Sequence, residues 1–378
     1  MHPSHRNTYR RAGRGLSALA VIVAGLAAGS GAAWAVEGGV RASAGEQPWY
    51  TGILMTGDGS AVGRLVCGGT LIAPDRVLTA AHCVAGSAPG DLSVRTDADL
   101  LSGRGEEVPI RRIAIHPGYE IADAADGVRR VHNDVAIVEL SKPVAGPVLP
   151  IATVADPVGT PVTALGHGNT GAHADKSEPL LRAELVTLPP IACQTTMQGN
   201  YRFESDQQLC VGTAAPAAVK PCSGDSGGPL VTGTGSDARL AGVASYLDRK
   251  QSCDDPDARL VAYADAAYFR DWALSPTPVW APAPLGEVAL EGDPRIGSIL
   301  TCRAPEWDGH PDAVAYQWLV TRVDEQGRAI DIPVPGATDH PRFTVPAEAA
   351  GATVGCIVTV QNDGGTAGAG NAIQIAGA

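Results

Sequence analysis

The segment Gly224–Pro229 constrains this chain more than any other part of its sequence. Three glycines and a proline in six residues build a tight turn, from which Ser226 points outward. The backbone N–H groups of such a turn converge on one point. A serine hydroxyl is a weak nucleophile, so it needs a base to take its proton and donors for the oxyanion that forms. The turn therefore predicts acyl transfer, provided that the chain also supplies a base and a group to orient it.

Two other segments supply these groups. His82 stands in the run Thr79–Cys83, and Asp134 opens an apolar, strand-like run that reaches Val138. The chain order His82, Asp134, Ser226 is one of three orders in which a Ser-His-Asp constellation is known. A lone histidine is usually a core or surface residue, and this interpretation holds for three others, His116, His167 and His173.

Residues 36–273 resemble a trypsin/chymotrypsin-like serine protease, because further motifs of that family stand in register with these segments. The motifs are Gly38-Gly39, Pro48-Trp49, Gly68-Gly69-Thr70-Leu71-Ile72, His116-Pro117-Gly118-Tyr119 and Ser245-Tyr246. The resemblance implies two six-stranded antiparallel barrels with the catalytic groups in the cleft between them, and a closing helix over Ala266–Ala273. Short apolar runs between turn residues are themselves typical of an all-β fold. Examples are Arg64–Cys67, Thr70–Ile72 and Val135–Leu140.

The resemblance also assigns a role to each site residue. Ser226 would attack the scissile carbonyl, His82 would take and return its proton, and Asp134 would orient the imidazole and stabilise its charged form. The backbone N–H groups of Gly224 and Ser226 would bind the oxyanion. Ser245 matches the family serine that supports the buried aspartate. We therefore expect a serine endopeptidase that acts on proteins or peptides.

The cysteines are expected to form disulfides. Eight is an even number, and in a chain with an export signal this indicates disulfide bonds rather than metal or redox chemistry. No metal site or cofactor is predicted. The family register implies the pairs Cys67–Cys83, Cys193–Cys210 and Cys222–Cys253, which leaves Cys302–Cys356 for the C-terminal region.

Residues 1–35 have the pattern of a signal peptide. Arginines at positions 6, 10, 11 and 14 precede an apolar run over Leu16–Ala28, and Ala33-Trp34-Ala35 offers small residues at the positions that set cleavage. The run is too short for the membrane anchor considered as an alternative. Loss of the four arginines changes the formal net charge from −12 to −16, which disfavours nucleic acid and anionic membranes as partners. We expect a secreted, extracellular protein.

The predicted cleavage point bears on activation. In the resembled family a new N-terminal Ile or Val places its ammonium beside the aspartate that precedes the nucleophile. Cleavage after Ala35 would expose Val36 directly, and the pair would be Val36 and Asp225. Glu37 departs from the aliphatic residue usual at the second position, and a short remaining propeptide is the alternative.

The C-terminal part is predicted to be a separate all-β unit. Residues 274–284 form a proline-rich linker, which favours a semi-rigid, extended spacer. Over residues 285–378, Cys302, Trp318 and Cys356 follow the Cys–Trp–Cys arrangement of an immunoglobulin-like β-sandwich. This unit is expected to serve either as a stabilising spacer or as a module that docks to a cell-surface or matrix ligand.

The residues of the specificity pocket leave two alternatives. Lys220 stands six positions before Ser226, where trypsin-type enzymes have aspartate, so cleavage after Lys or Arg is not expected. Leu247, next to Tyr246, takes the place of a wall glycine and would narrow the entrance. The pocket either is short and accepts small aliphatic residues, which we favour slightly, or uses Lys220 to pair with Glu or Asp. A different function class also stays open: a catalytically silent adhesin that binds through residues 285–378.

Overall fold

The structure is a computed structural model, and it describes most of the chain from residue 39 to residue 376. The described ranges are 39–42, 45–96, 105–123, 127–169, 176–213, 221–247, 260–323, 329–332 and 340–376. The predicted signal peptide, Val36, Lys220, His173 and Cys253 lie outside these ranges.

The first part of the chain forms a closed barrel of six strands. Its strands are among β1 (Val40–Arg41), β2 (Tyr50–Met55), β3 (Leu65–Ala73), β4 (Arg76–Thr79), β5 (Leu92–Thr96), β6 (Glu107–Ile115), β7 (Glu120–Asp123), β8 (Arg129–His132) and β9 (Ala136–Leu140). The barrel runs β2-β3-β4-β9-β6-β5. Short helices lie between its strands: α1 (Ala61–Arg64) and two 3₁₀ turns, Ala81–Cys83 and Pro89–Asp91.

The next part forms a second barrel. Its strands are among β10 (Pro161–Gly166), β11 (Leu181–Leu188), β12 (Tyr201–Arg202), β13 (Gln208–Gly212), β14 (Pro229–Thr232), β15 (Arg239–Leu247) and β16 (Leu260–Asp265). The sheet order is β1-β11-β10-β14-β15-β16-β13, and pairing of β11 with β13 closes six of these strands. The expected pair of six-stranded antiparallel barrels is therefore confirmed. Helices α2 (Pro190–Thr196) and α3 (Arg270–Ala273) flank this part.

Alternation along the strands places the barrel cores. In β11, Leu181, Ala183 and Leu185 are buried while the residues between them are more exposed, the period of two that a half-buried strand requires. Two expectations needed adjustment. The apolar runs expected at 64–67 and 70–72 belong to one continuous strand, β3, since Gly68 and Gly69 stay within it. The closing helix covers only Arg270–Ala273 of the expected eight residues.

The C-terminal part contains two further sheets. Its strands are β17 (Ala283–Pro284), β18 (Ala289–Glu291), β19 (Ile299–Arg303), β20 (Trp307–Asp308), β21 (Ala313–Val323), β22 (Ala329–Ile332), β23 (Arg342–Thr344), β24 (Thr353–Asn362) and β25 (Gly365–Gln374). One sheet runs β18-β19-β23 and the other β22-β21-β24-β25. The Cys302–Cys356 disulfide joins β19 of the first to β24 of the second. Trp318 lies in the same core, stacked on Phe343 at 5.1 Å between ring centroids.

The segment between these parts packs along the first barrel instead of projecting as a spacer. Arg76 donates to the carbonyl of Ser275 at 2.6 Å, and the Ala281 N–H donates to the carbonyl of Ile113 at 2.8 Å. The guanidinium of Arg112 lies 4.3 Å from the centre of the Trp280 ring. All described residues belong to one compact unit. None of the helices within the described ranges is long and apolar enough to span a membrane.

Candidate active site

The fold brings His82 and Asp134 together at one end of two paired strands. Thr79, the last residue of β4, is the register partner of Ala136, the first residue of β9. The chain leaves β4 toward His82 and enters β9 from Asp134, so both side chains lie at the same edge. The Cys67–Cys83 disulfide ties the histidine turn to β3.

Asn133 directs Asp134 into this edge. Its φ of 48° is in the left-handed region, which asparagine tolerates better than most residues. Its side-chain amide donates to the carbonyl of Gly118 at 2.7 Å, and its backbone N–H donates to Oε1 of Gln207 at 2.6 Å. These two bonds hold the turned backbone in place just before the buried carboxylate.

Asp134 accepts three hydrogen bonds. Nδ1 of His82 lies 2.8 Å from Oδ2 of Asp134, and the His82 backbone N–H donates to Oδ1 at 2.9 Å. The hydroxyl of Ser245 donates to Oδ2 at 2.5 Å. Charge-assisted bonds of this kind are about twice as strong as neutral ones. The carboxylate therefore fixes the orientation of the imidazole ring.

The two groups shift each other's pKa. Burial alone would lower the pKa of His82, but the negative charge of Asp134 and the hydrogen bond to it outweigh this and raise the pKa above 6.5. Burial would raise the pKa of Asp134, yet His82, together with the hydrogen bond from Ser245, lowers it. The aspartate thus stays ionised, and the histidine is a stronger base than an isolated imidazole.

The loop that carries Ser226 packs directly against the strands that lead to His82. The Gly68 N–H donates to the carbonyl of Ser226 at 2.8 Å. A Cβ on Gly227 would lie 2.2 Å from Oγ1 of Thr79 and 3.2 Å from the nitrogen of Ala80, so only glycine fits there. Gly227 also has φ +73°, which favours glycine independently.

The structure does not join Ser226 to His82 by a hydrogen bond. Within the described residues, the Ser226 hydroxyl has no such bond, and Nε2 of His82 lies 3.8 Å from Sγ of Cys83. The expected relay is thus formed between His82 and Asp134 and left open at the serine. Catalytic hydrogen bonds are often long in unliganded enzymes and tighten with substrate.

The expected oxyanion donors are available. The N–H groups of Asp225, Gly227 and Gly228 donate to backbone carbonyls, whereas those of Gly224 and Ser226 take part in no backbone hydrogen bond within the described ranges. This alternation leaves two donors of the turn for a ligand. An arrangement of this kind can stabilise negative charge that develops on a carbonyl oxygen.

Asp225 is a second buried carboxylate, next to Ser226. Its Oδ1 accepts from the Gly168 N–H and its Oδ2 from the Cys222 N–H, both at 2.7 Å. Burial raises its pKa to about 7, because these two donors offset only part of the desolvation. Val36, its expected partner, lies outside the described residues.

A scan against protein-family models matches residues 36–273 to the Trypsin family. The chain belongs to this family. Trypsin-family members are serine proteases, and the chain is accordingly a serine-type endopeptidase that hydrolyses peptide bonds.

Known proteins agree with this assignment. A trypsin of Saccharopolyspora erythraea is 33% identical over 239 residues, which are 61% of this chain and 95% of that protein. Human serine protease 56 is 34% identical over 248 residues, or 63% of this chain, which spans only 38% of that longer protein. Among solved structures, neuropsin, a serine protease of mouse brain, has a TM-score of 0.51 at 26% identity and matches 62% of this chain and 96% of its own.

A cavity beside Ser226 contains two of the residues expected to line the specificity pocket. Its volume is about 170 Å³, and it is lined partly by Tyr246, Leu247 and Val261. Tyr246 is held by its hydroxyl, which donates to Oε1 of Gln208 at 2.9 Å, and by the stacked ring of Tyr201. Lys220, expected at the base of the pocket, lies outside the described residues.

The disulfides match the family register where they are described. Cys67–Cys83, Cys193–Cys210 and Cys302–Cys356 are formed. Cys222 is also disulfide-bonded, while Cys253, its expected partner, lies outside the described ranges. Ligand atoms of Cys67, His82 and Cys83 lie within 4.8 Å of one another, but both sulfurs belong to one disulfide and cannot bind a metal as thiolates.

Two features of this trypsin-family site were not expected from the sequence. The side chain of Lys176 passes over the nucleophile loop, with its Cε 3.4 Å from the Cβ position of Gly224, and its ammonium donates to the carbonyl of Leu65. Gly166 and Gly168 make room for the carboxylate of Asp225, which lies 1.8 Å and 2.5 Å from their Cβ positions. The Gly-His-Gly run was the only signal of this second feature.

Proposed function

We propose that His82, Asp134 and Ser226 form the catalytic triad of this endopeptidase. The observation that carries the proposal is the bond of 2.8 Å between Nδ1 of His82 and Oδ2 of Asp134, beside the contacting Ser226 loop. With Nδ1 donating to the aspartate, Nε2 carries the lone pair that faces away from it. The measured geometry supports the roles of His82 and Asp134 as base and orienting group, whereas the role of Ser226 as nucleophile is supported by its sequence motif.

The reaction follows from these roles. Oγ of Ser226 attacks the scissile carbonyl while Nε2 of His82 takes the hydroxyl proton, and the N–H groups of Gly224 and Ser226 bind the oxyanion. The C–N bond then breaks, His82 gives its proton to the leaving amine, and an acyl-enzyme ester remains. A water molecule, deprotonated by His82, hydrolyses this ester and restores the serine.

The nucleophile can be tested directly with a fluorophosphonate probe. We expect labelling of Ser226 in the intact chain and none in Ser226→Ala, whose activity should fall to the level that binding and the oxyanion donors alone sustain. Ser177→Ala is the matched control, since Ser177 is a buried serine whose hydroxyl donates to the carbonyl of Pro179. An unlabelled intact chain would favour the catalytically silent adhesin.

The proposal extends to substrate specificity. The small cavity and the side chain of Leu247 support cleavage after small aliphatic residues rather than after Lys or Arg. Each methylene that a pocket cannot accept costs about 10- to 200-fold in kcat/KM. In a peptide panel varied at the residue before the cleaved bond, Ala and Val should exceed Arg by about 100-fold or more. Preference for Glu would favour pairing with Lys220, and efficient cleavage after Arg would contradict both alternatives.

Activation and secretion complete the proposed function. Cleavage after Ala35 would free Val36, whose ammonium would pair with Asp225 and lower the pKa of that carboxyl. The disulfides fit an extracellular protein. Amino-terminal sequencing of protein from the culture medium should read Val-Glu-Gly-Gly, and active protein that retains Trp34-Ala35 would contradict this route.

For residues 285–378 the proposal is an immunoglobulin-like β-sandwich. It is supported by the two sheets that Cys302–Cys356 joins and by Trp318, the register partner of Cys356 on the neighbouring strand. The indole N–H of Trp318 donates to the carbonyl of His340 at 2.9 Å, as a buried tryptophan requires.

A further inference from the structure

The C-terminal region contacts the first barrel at a tight turn and at the strand that follows it. This turn joins β24 to β25, and we use the name β24–β25 turn for it together with the first residues of β25, residues 362–368. The Ile115 N–H donates to the carbonyl of Gly364 at 2.8 Å. A Cβ on Gly365 would lie 2.8 Å from Cβ of Ile115, so the backbone of the turn lies directly on this side chain. The first anchor is therefore the end of β6.

A second anchor lies on the turn that follows His82. The Gly86 N–H donates to the carbonyl of Thr366 at 3.2 Å, and Gly86 forms a parallel bridge with Ala367. A Cβ on Gly368 would lie 3.0 Å from the carbonyl oxygen of Gly86. Strand β25 and the catalytic-histidine turn are thus in main-chain contact.

Both anchors are directly connected to the proposed base and its orienter. Gly86 closes a compact turn in which the N–H groups of Val84 and Ala85 donate to the carbonyl of Ala81, next to His82. Ile115 is the register partner of Ala136, and the following His116 N–H donates to the carbonyl of Val135, next to Asp134. A displacement of Gly86 therefore reaches His82, and a displacement of Ile115 reaches Asp134, through one or two hydrogen bonds.

The β24–β25 turn is itself held rigidly. Oδ1 of Asn362 accepts from the Gly364 N–H at 2.8 Å, and Nδ2 of Asn362 donates to the carbonyls of Trp280 and Gly309 at 3.0 and 2.8 Å. Trp280 in turn stacks on Arg112 of β6. A turn held in this way can fix the positions of the first-barrel residues that it contacts, and does more than shield them from solvent.

We propose that the β24–β25 turn is a positioning element of the catalytic site, which sets where His82 and Asp134 stand by holding Gly86 and Ile115. The inference rests on the proposed triad. Both anchors belong to the first barrel, whereas Ser226 belongs to the second. The turn thereby controls the gap between Nε2 of His82 and the serine, which no hydrogen bond spans in this structure.

Glycine-to-alanine variants in the intact chain test this positioning. Gly365→Ala pushes a methyl group onto Ile115 at a residue whose φ is +128°. Its control is Gly297→Ala, which also places alanine at a positive φ, +81°, but where no atom lies within 4 Å of the new Cβ. Gly368→Ala presses gently on Gly86, and its control Gly355→Ala lies on the same sheet with ordinary contacts at 3.6 Å. Neither Gly368 nor Gly355 has a positive φ, so this pair separates the contact from backbone strain.

The readout is kcat per titrated serine, because loss of folded protein lowers the number of titrated sites and not this ratio. A misplacement of about 1 Å can cost about 100-fold in rate. We expect kcat per site to fall about tenfold in Gly365→Ala and about threefold in Gly368→Ala, with KM within about twofold and both controls like the intact chain. The acidic limb of the pH–rate profile should move to lower pH in Gly365→Ala, since a His82 further from Asp134 loses the interaction that raises its pKa.

Two results would overturn the inference in different ways. If both test variants keep the kcat per site and pH profile of the intact chain and only melt at lower temperature, the turn is structural and the proposed triad stands. If the intact chain has no titratable serine, the proposed function fails and the positioning role fails with it. Should Gly365→Ala not fold, Gly368→Ala against Gly355→Ala decides alone.

Discussion

Two buried aspartates stand within reach of the same nucleophile loop, and their surroundings push their pKa values in opposite directions. Asp134 has a cationic partner in protonated His82 and three donors, so its charge is favoured despite burial. Asp225 has two backbone donors and a pKa of about 7. Asp134 is thereby prepared to stabilise an imidazolium, whereas Asp225 still needs a positive charge near it.

The raised pKa of Asp225 predicts how stability depends on pH. In the unfolded chain this carboxyl ionises near 3.8, but in the fold it keeps its proton to about pH 7. The unfolded state therefore binds fewer protons between these values, and the fold loses stability as pH rises. For a chain with an extension before Val36, the free energy of unfolding should fall by about 3 kcal/mol relative to Asp225→Asn between pH 4 and pH 7.

Urea unfolding at several pH values measures this difference. The comparison with Asp225→Asn cancels the contributions of other titrating groups. In a chain that begins at Val36, pairing with the ammonium should abolish the fall, because the ion pair lowers the pKa of Asp225. A flat difference in the extended chain would contradict the assignment of a largely uncompensated carboxylate.

At this scale the sequence predicts the chemical groups but not the residues that support them. His82, Asp134, Ser226 and Ser245 stand in motifs whose residue types the chemistry demands. Lys176 carries no such signal, since a lysine before a serine is common and only the fold lays it across Gly224. The absence of a hydrogen bond between His82 and Ser226 could not be predicted from the sequence either, because residue types do not specify distances between side chains.

At the scale of elements, the structure at the end of β10 explains the Gly-His-Gly run at residues 166–168, which the sequence alone did not explain. Gly166, His167 and Gly168 lead from the strand past the carboxylate of Asp225, and a Cβ on either glycine would overlap it. His167 is buried between them, with Nδ1 2.9 Å from the carbonyl of Ser177. The two glycines are required by a carboxylate that lies 57 residues beyond Gly168 in the sequence, which explains why no local propensity could indicate them.

The close contact at Gly168 yields a prediction for this element. In Gly168→Ala the new Cβ would lie 2.5 Å from Cγ of Asp225, so the aspartate and the adjoining oxyanion turn must shift. We expect kcat/KM to fall about 100-fold and stability to fall by about 1–3 kcal/mol. Steady-state kinetics and urea unfolding measure the two effects. Gly90→Ala is the control, since nothing lies within 4 Å of that position, and equal losses in both variants would refute the role of the contact.

For the whole molecule, the strand content followed from the sequence pattern and the paired barrels from the family resemblance, but the docking of the C-terminal region followed from neither. Prolines at 276, 278, 282 and 284 favour an extended segment. What the pattern could not indicate is that it lies along β6, because its contacts are a backbone hydrogen bond from Ala281 to Ile113 and contacts with two arginines that are distant in sequence, Arg76 and Arg112. Main-chain groups are the same in every residue and leave no signature in a sequence.

This docking predicts cooperative unfolding of the barrels and the C-terminal region. Calorimetry of the intact chain should give one transition, and Trp280→Ala should separate it into two, with a loss of about 2–4 kcal/mol from the cation–π contact and the packing. Leu285→Ala, one residue beyond this segment, is the control, since Leu285 is 66% exposed and should be neutral. Two transitions in the intact chain would show that the regions unfold independently.

The contact between β6 and the linker also limits how this enzyme can be shortened for production. A chain cut after α3 would be close in length to the trypsin of Saccharopolyspora erythraea, yet it would strip the carbonyl of Ile113 of its N–H donor and the amide of Ile115 of its carbonyl acceptor. Unpaired backbone N–H and C=O groups beside apolar side chains promote pairing with other chains. The shortened protein would therefore tend to aggregate unless polar residues were introduced there.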